Sequence, residues 1–405
     1  MLNYKNNIVQ KNIYGNSYLL IILIILIIAI FASEIIYGLL LMEREYFPNE
    51  AYAITAIADK TMQMSHFSFE GIILNLHPLL VLLEIPILWI LSFFPVVLSK
   101  NISGIIVASF FSTVSAAYLF YKFKNFNTGI FNALFLTLLF ILNPFLFHYG
   151  AIGVDVSFFS TILLICSGEF SDWLLYRKTS SLVIIALAMV ICLFNNYEII
   201  IIACIQAIMI AYSGLFMIDP LFPFKNKALM TKINYTVSTL VVVLLPFVYT
   251  IFIMFLQGGI FWNTPFYFVH VIKDTIEITS ISAPAEISEL MRSYYSSFGY
   301  VVKMSVPFLI IFGAITFMRI CVLQIVRKDY LLLLFFIFMI IIFNTLGFKA
   351  GLFSDRLYNF YYIFPICAGW IPYEINQLPY KAKRYGVVFF MMAFIICGFL
   401  MRSIL

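Results

Sequence analysis

The chain has 405 residues, of which 63% are hydrophobic and only 11% are charged, with a net charge of +5. A soluble protein of this length needs far more charged residues to cover its surface, so the composition excludes an ordinary soluble domain. The basic residues form no cluster, which argues against a nucleic-acid partner. Apolar stretches of about 18 or more residues recur along the chain, each long enough to cross a bilayer as a helix.

The first apolar stretch, Tyr18 to Met42, is longer than the core of a signal peptide and predicts a retained transmembrane helix. Lys5 and Lys11 precede it and acidic residues follow it, so the positive-inside rule predicts a cytoplasmic N-terminus. Alternating the remaining spans places the basic loop residues on the cytoplasmic side. The ten further helices are predicted at 103–121, 130–150, 156–175, 181–198, 199–218, 234–257, 302–325, 330–347, 357–373 and 385–402.

We therefore expect an all-α polytopic membrane protein of about eleven transmembrane helices, forming a single integral membrane domain over residues 1–405. The apolar stretch from His77 to Leu98 is excluded from that count, because a crossing there would place the later lysine pairs outside. It contains three prolines, which suit an interfacial helix better than a spanning one. The sequence predicts that this stretch forms a juxtamembrane helix on the outer face.

Polar residues gather on the predicted outer side, in two long loops at 43–102 and 258–301 and at the outer ends of helices. They occur in a fixed order along the chain: Asn49-Glu50-Ala51-Tyr52, Asn75-Leu76-His77-Pro78, Asn143-Pro144, His148-Tyr149-Gly150, Asp155, Asn195-Asn196-Tyr197-Glu198, Phe261-Trp262, His270, Lys349 and Ser354-Asp355-Arg356-Leu357-Tyr358. Glu34 and Glu84 lie inside apolar stretches, where an ionisable residue is costly and often functional.

This order resembles the GT-C superfamily of membrane glycosyltransferases, which includes the protein O-mannosyltransferases and the lipid A aminoarabinose transferases. In that family the first outer loop opens with Asp-Glu, and a His-Pro or Lys-Pro element begins a juxtamembrane helix. The third helix ends in a Pro, a Tyr and an Asp on the catalytic side, and a late Arg-x-Tyr element precedes a proline. The corresponding residues here are Asn49-Glu50, His77-Pro78, Pro144, Tyr149, Asp155, Arg356-Leu357-Tyr358 and Pro365.

The resemblance implies a GT-C-like fold and a reaction that moves a sugar from a polyprenyl-phosphate carrier to an acceptor on the outer face. One carboxylate, Glu50 or Asp155, takes the proton of the acceptor hydroxyl. The departing phosphate bears growing negative charge and needs cations and hydrogen-bond donors. Arg356 suits that role because its planar fork matches phosphate oxygens, and Lys349, His77 and Tyr358 are the other implied substrate- and phosphate-binding residues.

A divalent metal, Mg²⁺ or Mn²⁺, is implied if Glu50 and His270 converge.

Two positions depart from the family pattern. The first Asp of the family is Asn49 here, and Asn195 or Asn196 stands where the family often has Lys. Three alternatives follow: the base has moved to Glu50, the chain belongs to a divergent branch such as the serotype-converting O-antigen glucosyltransferases, or it is a non-catalytic relative.

The expected partners are a polyprenyl-phosphate sugar, a lipid-linked glycan such as O-antigen or another surface acceptor, and membrane lipids. The expected location is the bacterial cytoplasmic membrane, in lipopolysaccharide biosynthesis. Two other functions remain open. A polysaccharide polymerase also has about a dozen helices and a large outer loop. A transporter or flippase of lipid-linked glycans should show an internal repeat, broken helices and charge at the membrane midplane, and the sequence contains no convincing repeat.

Overall fold

The computed structural model describes residues 17–44, 49–63, 78–93, 102–125, 129–195, 199–216, 229–263, 310–311, 313–318 and 358–402. These residues contain twelve helices of nine or more residues and no β-strand, which confirms the all-helical prediction for this part of the chain. The helices are α1 (Ser17–Glu43), α2 (Asn49–Gln63), α3 (Pro78–Leu91), α4 (Ile102–Asn125), α5 (Ile130–Ile141), α6 (Pro144–Ile152), α7 (Val154–Tyr176), α8 (Thr179–Leu193), α9 (Ile199–Phe216), α10 (Leu229–Trp262), α11 (Tyr358–Gln377) and α12 (Tyr380–Arg402).

Six of these helices are long and apolar enough to cross a membrane, namely α1, α4, α7, α9, α10 and α12. The pair α5 and α6 provides a seventh span if its two parts are counted together. These spans support a polytopic membrane protein. The predicted spans 302–325 and 330–347 lie wholly or largely outside the described residues. The described helices therefore do not test the predicted total of about eleven spans.

The prediction of one helix over 130–150 is wrong, because the chain forms two helices bent by 68° between Ile141 and Leu146. Asn143 and Pro144 occupy the break. Proline cannot donate a backbone hydrogen bond, and it disfavours the helical conformation of the residue before it. The bend therefore has a local cause in the sequence.

The apolar helix α3 has 14 residues. At 1.5 Å per residue it is about 21 Å long, whereas a bilayer core is about 30 Å thick. Pro78 opens the helix, where its missing N–H costs nothing, and Pro86 lies inside it. The helix packs against α2 and the start of α4. Its length agrees with a juxtamembrane position.

Helix α7 lies at the centre of the bundle, in contact with α4, α8 and α11. Ser157 on α7 donates to the carbonyl oxygen of Ala108 at 2.8 Å, and Thr161 lies 2.8 Å from Ser115 through their hydroxyls. Because later residues of α7 meet later residues of α4, the two helices run in the same direction. The bent pair between them supplies the one return crossing that this arrangement requires.

Helix α11 also runs parallel to α7, since Ser167 donates to Ile366 O and Phe170 packs on Trp370. Helix α1 runs antiparallel to α4 because Gly38 meets Ile105 and Glu34 meets Ser112. The last turn of α1 and the first turns of α4, α7 and α11 therefore share one end of the bundle. We call this the upper end, and we call the opposite end, with the last turns of α4, α7 and α11, the lower end.

A close approach between α7 and α11 depends on a glycine. A Cβ atom at Gly369 would lie 2.8 Å from Leu164 O and 3.0 Å from Gly168 N, closer than side-chain atoms normally come. Small residues allow membrane helices to approach to this distance and to gain van der Waals contact. The contact fixes α11, which begins at the position of Tyr358, against the central helix.

Candidate functional site at the upper end of the bundle

The upper end contains the helix starts that carry three of the predicted site residues. Asp155 lies in the first turn of α7 and is 8% exposed, where the partial positive charge of a helix N-terminus favours a carboxylate. Glu50 occupies the second position of α2, and Tyr358 is the first residue of α11. Sequence positions far apart therefore come to one end of the molecule.

The side chains of Glu50 and Tyr358 lie outside the described part of the structure, as do His77, His270, Lys349 and Arg356 altogether. Their roles stay predictions. Within the described residues, no group of three His, Cys, Asp or Glu side chains is arranged as a metal site requires. The two residues predicted to hold a metal, Glu50 and His270, are not covered by that statement.

A buried carboxyl group holds α2 and α3 on the bundle. Thr55 on α2 and Ser103 on α4 each donate a hydrogen bond of 2.8 Å to Glu84 Oε2 on α3. Glu84 has no exposed surface. Burial raises the pKa of Glu84 to about 7, and the two hydroxyl groups oppose that rise. This acid joins α2, α3 and the start of α4.

A second buried acid, Glu34 on α1, lies between α4 and α6. Ser112 on α4 donates to Glu34 Oε1 at 2.5 Å. Gly150 on α6 makes room for the pair, because a Cβ atom there would lie 2.7 Å from the same oxygen. One turn along α1, the hydroxyl of Tyr37 lies 3.2 Å from His148 Nδ1. Helix α6 thus contacts α1 through the Tyr37–His148 pair and through the close approach of Gly150 to Glu34.

The lower end contains an ionic cluster that none of the sequence motifs identified. Lys122 Nζ on α4 lies 2.7 Å from Glu169 Oε1 and 2.6 Å from Asp172 Oδ2, both on α7. Tyr118 donates to the same Glu169 oxygen at 3.0 Å, and Gly168 leaves space for the phenol. The Lys122 and Glu169 side chains are 3% and 9% exposed. A buried charge needs such partners, since an isolated one is strongly disfavoured.

The sequence contains part of the information that specifies the ionic cluster at the lower end. Acids at positions 169 and 172 are three residues apart and share one face of a helix. A lysine at the end of α4 fits the positive-inside rule, which predicts a cation in a cytoplasmic loop there. The packing of α4 on α7 brings the lysine and the two acids together, and neither observation alone predicts that contact.

Long apolar helices and buried polar contacts between them define the class of this molecule as an integral membrane protein with several helical spans. Comparison of the chain with protein-family models, with curated proteins and with solved structures gave no match. The function is therefore argued below from the residues and their positions.

Proposed function

We propose that the protein is a glycosyltransferase that moves a sugar from a polyprenyl-phosphate carrier to an acceptor on the outer face of the bacterial cytoplasmic membrane. The acceptor is a lipid-linked glycan such as O-antigen or another surface molecule. The observation that supports this proposal is the common upper end of α2, α7 and α11, which begin at or next to Glu50, Asp155 and Tyr358. The topology prediction assigns this end to the outer face.

The chemistry needs a carboxylate for the acceptor hydroxyl and cations for the leaving phosphate. Glu50 and Asp155 are the acids proposed for the first task. Arg356, two residues before α11, is proposed for the second, with Lys349, His77 and Tyr358 as further donors. A divalent metal held by Glu50 and His270 would supply additional positive charge at the phosphate.

The lipid carrier requires a site that opens to the bilayer. Helix α3 and the turn that follows it expose apolar side chains next to the upper end, namely Trp89, Ile90 and Phe93. An isoprenoid tail can lie along such a surface while its phosphate stays at the interface. This arrangement supports a lipid-linked donor over a water-soluble nucleotide sugar.

A second candidate function is the transport of a lipid-linked glycan. The 68° break between α5 and α6 and the buried Glu34 against α6 favour this alternative. Transporters often place discontinuous helices and ionisable residues near the membrane midplane. The buried acids Glu34 and Glu169 lie at two levels of the bundle and form no single midplane site, which favours the transferase.

The test separates the two functions with one purified preparation. Detergent-solubilised protein is incubated with a panel of polyprenyl-phosphate sugars and a lipid-linked acceptor, and the release of polyprenyl phosphate is measured. The proposal predicts release with at least one donor and no requirement for sealed vesicles. Movement of lipid-linked glycan between leaflets of sealed vesicles, with no bond broken, would support the transporter instead.

A further inference from the structure

The buried carboxyl group of Glu34 has no ion-pair partner among the described residues, unlike the two acids in the lower-end cluster. It has no exposed surface and receives one hydrogen bond, from Ser112 to Oε1. Its second oxygen, Oε2, is buried without a hydrogen-bond partner among the described residues. No cation in that part of the chain lies within ion-pair distance of it, whereas Glu169 and Asp172 share Lys122.

The neighbouring elements supply no charge that could balance a carboxylate at this position. Helices α4 and α6 pack against this part of α1. The titratable groups near this level are Tyr37 on α1, His148 and Tyr149 on α6, and Asp155 at the start of α7. Tyr37 lies within hydrogen-bonding distance of His148 Nδ1, so these two are engaged with each other. The only described side chain that donates to Glu34 is the neutral hydroxyl of Ser112.

A buried ionised carboxylate with one neutral donor is strongly disfavoured, and such a group takes up a proton instead. We propose that Glu34 is a proton-binding site where α1, α4 and α6 meet and that the bound proton keeps α6 packed on α1. The proton comes from water and is carried on the carboxyl group, and it returns to water when the contact opens. Gly38 and Gly150 support this packing, because each lies where a Cβ atom would collide with the opposing helix.

This role goes beyond sugar transfer and does not depend on it. Ionisation of Glu34 would require a cation or further hydrogen-bond donors beside its carboxyl group, and Gly150 of α6 packs closely against that group on its Oε1 side. Release of the proton is therefore coupled to separation of α6 from α1. Because α6 carries His148 and leads directly into Asp155, the proton on Glu34 would control the geometry of the upper end.

Infrared spectroscopy of the full-length protein in lipid nanodiscs tests the proposal. A protonated carboxyl group has a carbonyl stretch that a carboxylate lacks. Because Glu84 also carries a proton near neutral pH, the spectra are compared as differences. The wild type minus Glu34→Gln should contain this band, and the wild type minus Glu43→Gln, at the exposed end of the same helix, should not. Loss of a carboxylate band in Glu34→Gln, with the carbonyl band unchanged, would overturn the proposal.

Ser112→Ala provides a second variant in case Glu34→Gln does not fold. It removes the hydrogen bond to Oε1 and keeps the acid. The proposal predicts that the carbonyl band persists and moves to higher frequency, as it does when a carbonyl loses a donor. A carbonyl band that neither variant moves would contradict the assignment to Glu34, whether or not the protein transfers sugars.

Discussion

The ammonium nitrogen of Lys122 lies 2.6 Å from Asp172 Oδ2, and the two residues join α4 to α7 near the lower end of the bundle. Glu169 shares the same ammonium group at 2.7 Å. These contacts are made where water is largely absent, so each charge depends on its partners. The pairing therefore gives a direct test of the helix arrangement, independent of any activity.

Replacing Lys122 with methionine should lower the thermal stability of the purified protein in detergent. Removing one partner of a buried ion pair costs about 3–5 kcal/mol, because the opposite charge is left unpaired. Lys124→Met is the matched control, since Lys124 lies two residues further on and outside the cluster. Equal losses in midpoint temperature for the two variants would show that α4 and α7 do not pack through Lys122.

Thr55→Val should weaken the docking of α2, because Glu84 then keeps one hydroxyl donor instead of two. The expected cost is about 1–3 kcal/mol. Thr61→Val is a suitable control, as this buried hydroxyl bonds only to Ile57 O in its own helix. An environment-sensitive fluorophore on Gln63→Cys, at the exposed end of α2, reports the docking.

The same fluorophore should show that docking weakens as pH rises. Glu84 has a pKa of about 7 when buried, against an ordinary value of 4.5. Between these values the docked form keeps its proton while the undocked form loses it, so docking is strongest below the window and weakest above it. Glu84→Gln should remove the dependence. A pH response that survives in this variant would exclude Glu84 as its source.

How far the sequence predicts this structure can be judged from particular elements. The start of α3 at Pro78 agrees with the prediction because proline favours the first turn of a helix. Apolar length alone identified α1, α4 and α7 within a few residues of their observed ends. These features are local, so the sequence contains the information that specifies them.

The break at Asn143 and the pairing of Lys122 with Asp172 were not predicted. Proline in a membrane helix is tolerated in many cases, so Pro144 alone did not indicate a bend of 68°. Which faces of α4 and α7 meet depends on packing across the bundle, and spacing along one helix cannot give it. For the candidate site, the order of motifs along the chain predicted that the site residues lie at one end of the bundle, but it did not predict how their side chains are arranged.

Membrane orientation is the next prediction. Cysteines introduced at Ser65 and Ser282, both outside the described residues, should react with a membrane-impermeant maleimide in intact cells. The reason is the excess of Lys and Arg in the loops assigned to the cytoplasm. Lys124→Cys, at the lower end, should react only after the membrane is disrupted. The reverse pattern would invert the orientation and move the upper end to the cytoplasm.

Arg356→Ala should abolish sugar transfer, and Arg356→Lys should retain only a fraction of it. A guanidinium group binds two phosphate oxygens at once, whereas an ammonium group acts as a point charge. Turnover is measured as the release of polyprenyl phosphate, with protein yield and midpoint temperature as controls for folding. Full activity of Arg356→Lys would show that a single charge is sufficient there.

The central claim, that an upper-end carboxylate acts as the base in a sugar transfer, is tested most directly by the turnover of the wild type, Glu50→Gln and Asp155→Asn with a polyprenyl-phosphate sugar. Asn49 cannot accept the proton, so the account assigns the base to Glu50 and predicts a loss of about 10²- to 10⁴-fold in Glu50→Gln. Near-normal turnover of Glu50→Gln with an inactive Asp155→Asn would transfer the role to Asp155. Normal turnover of both variants, or no turnover of the wild type with any donor, would contradict the account.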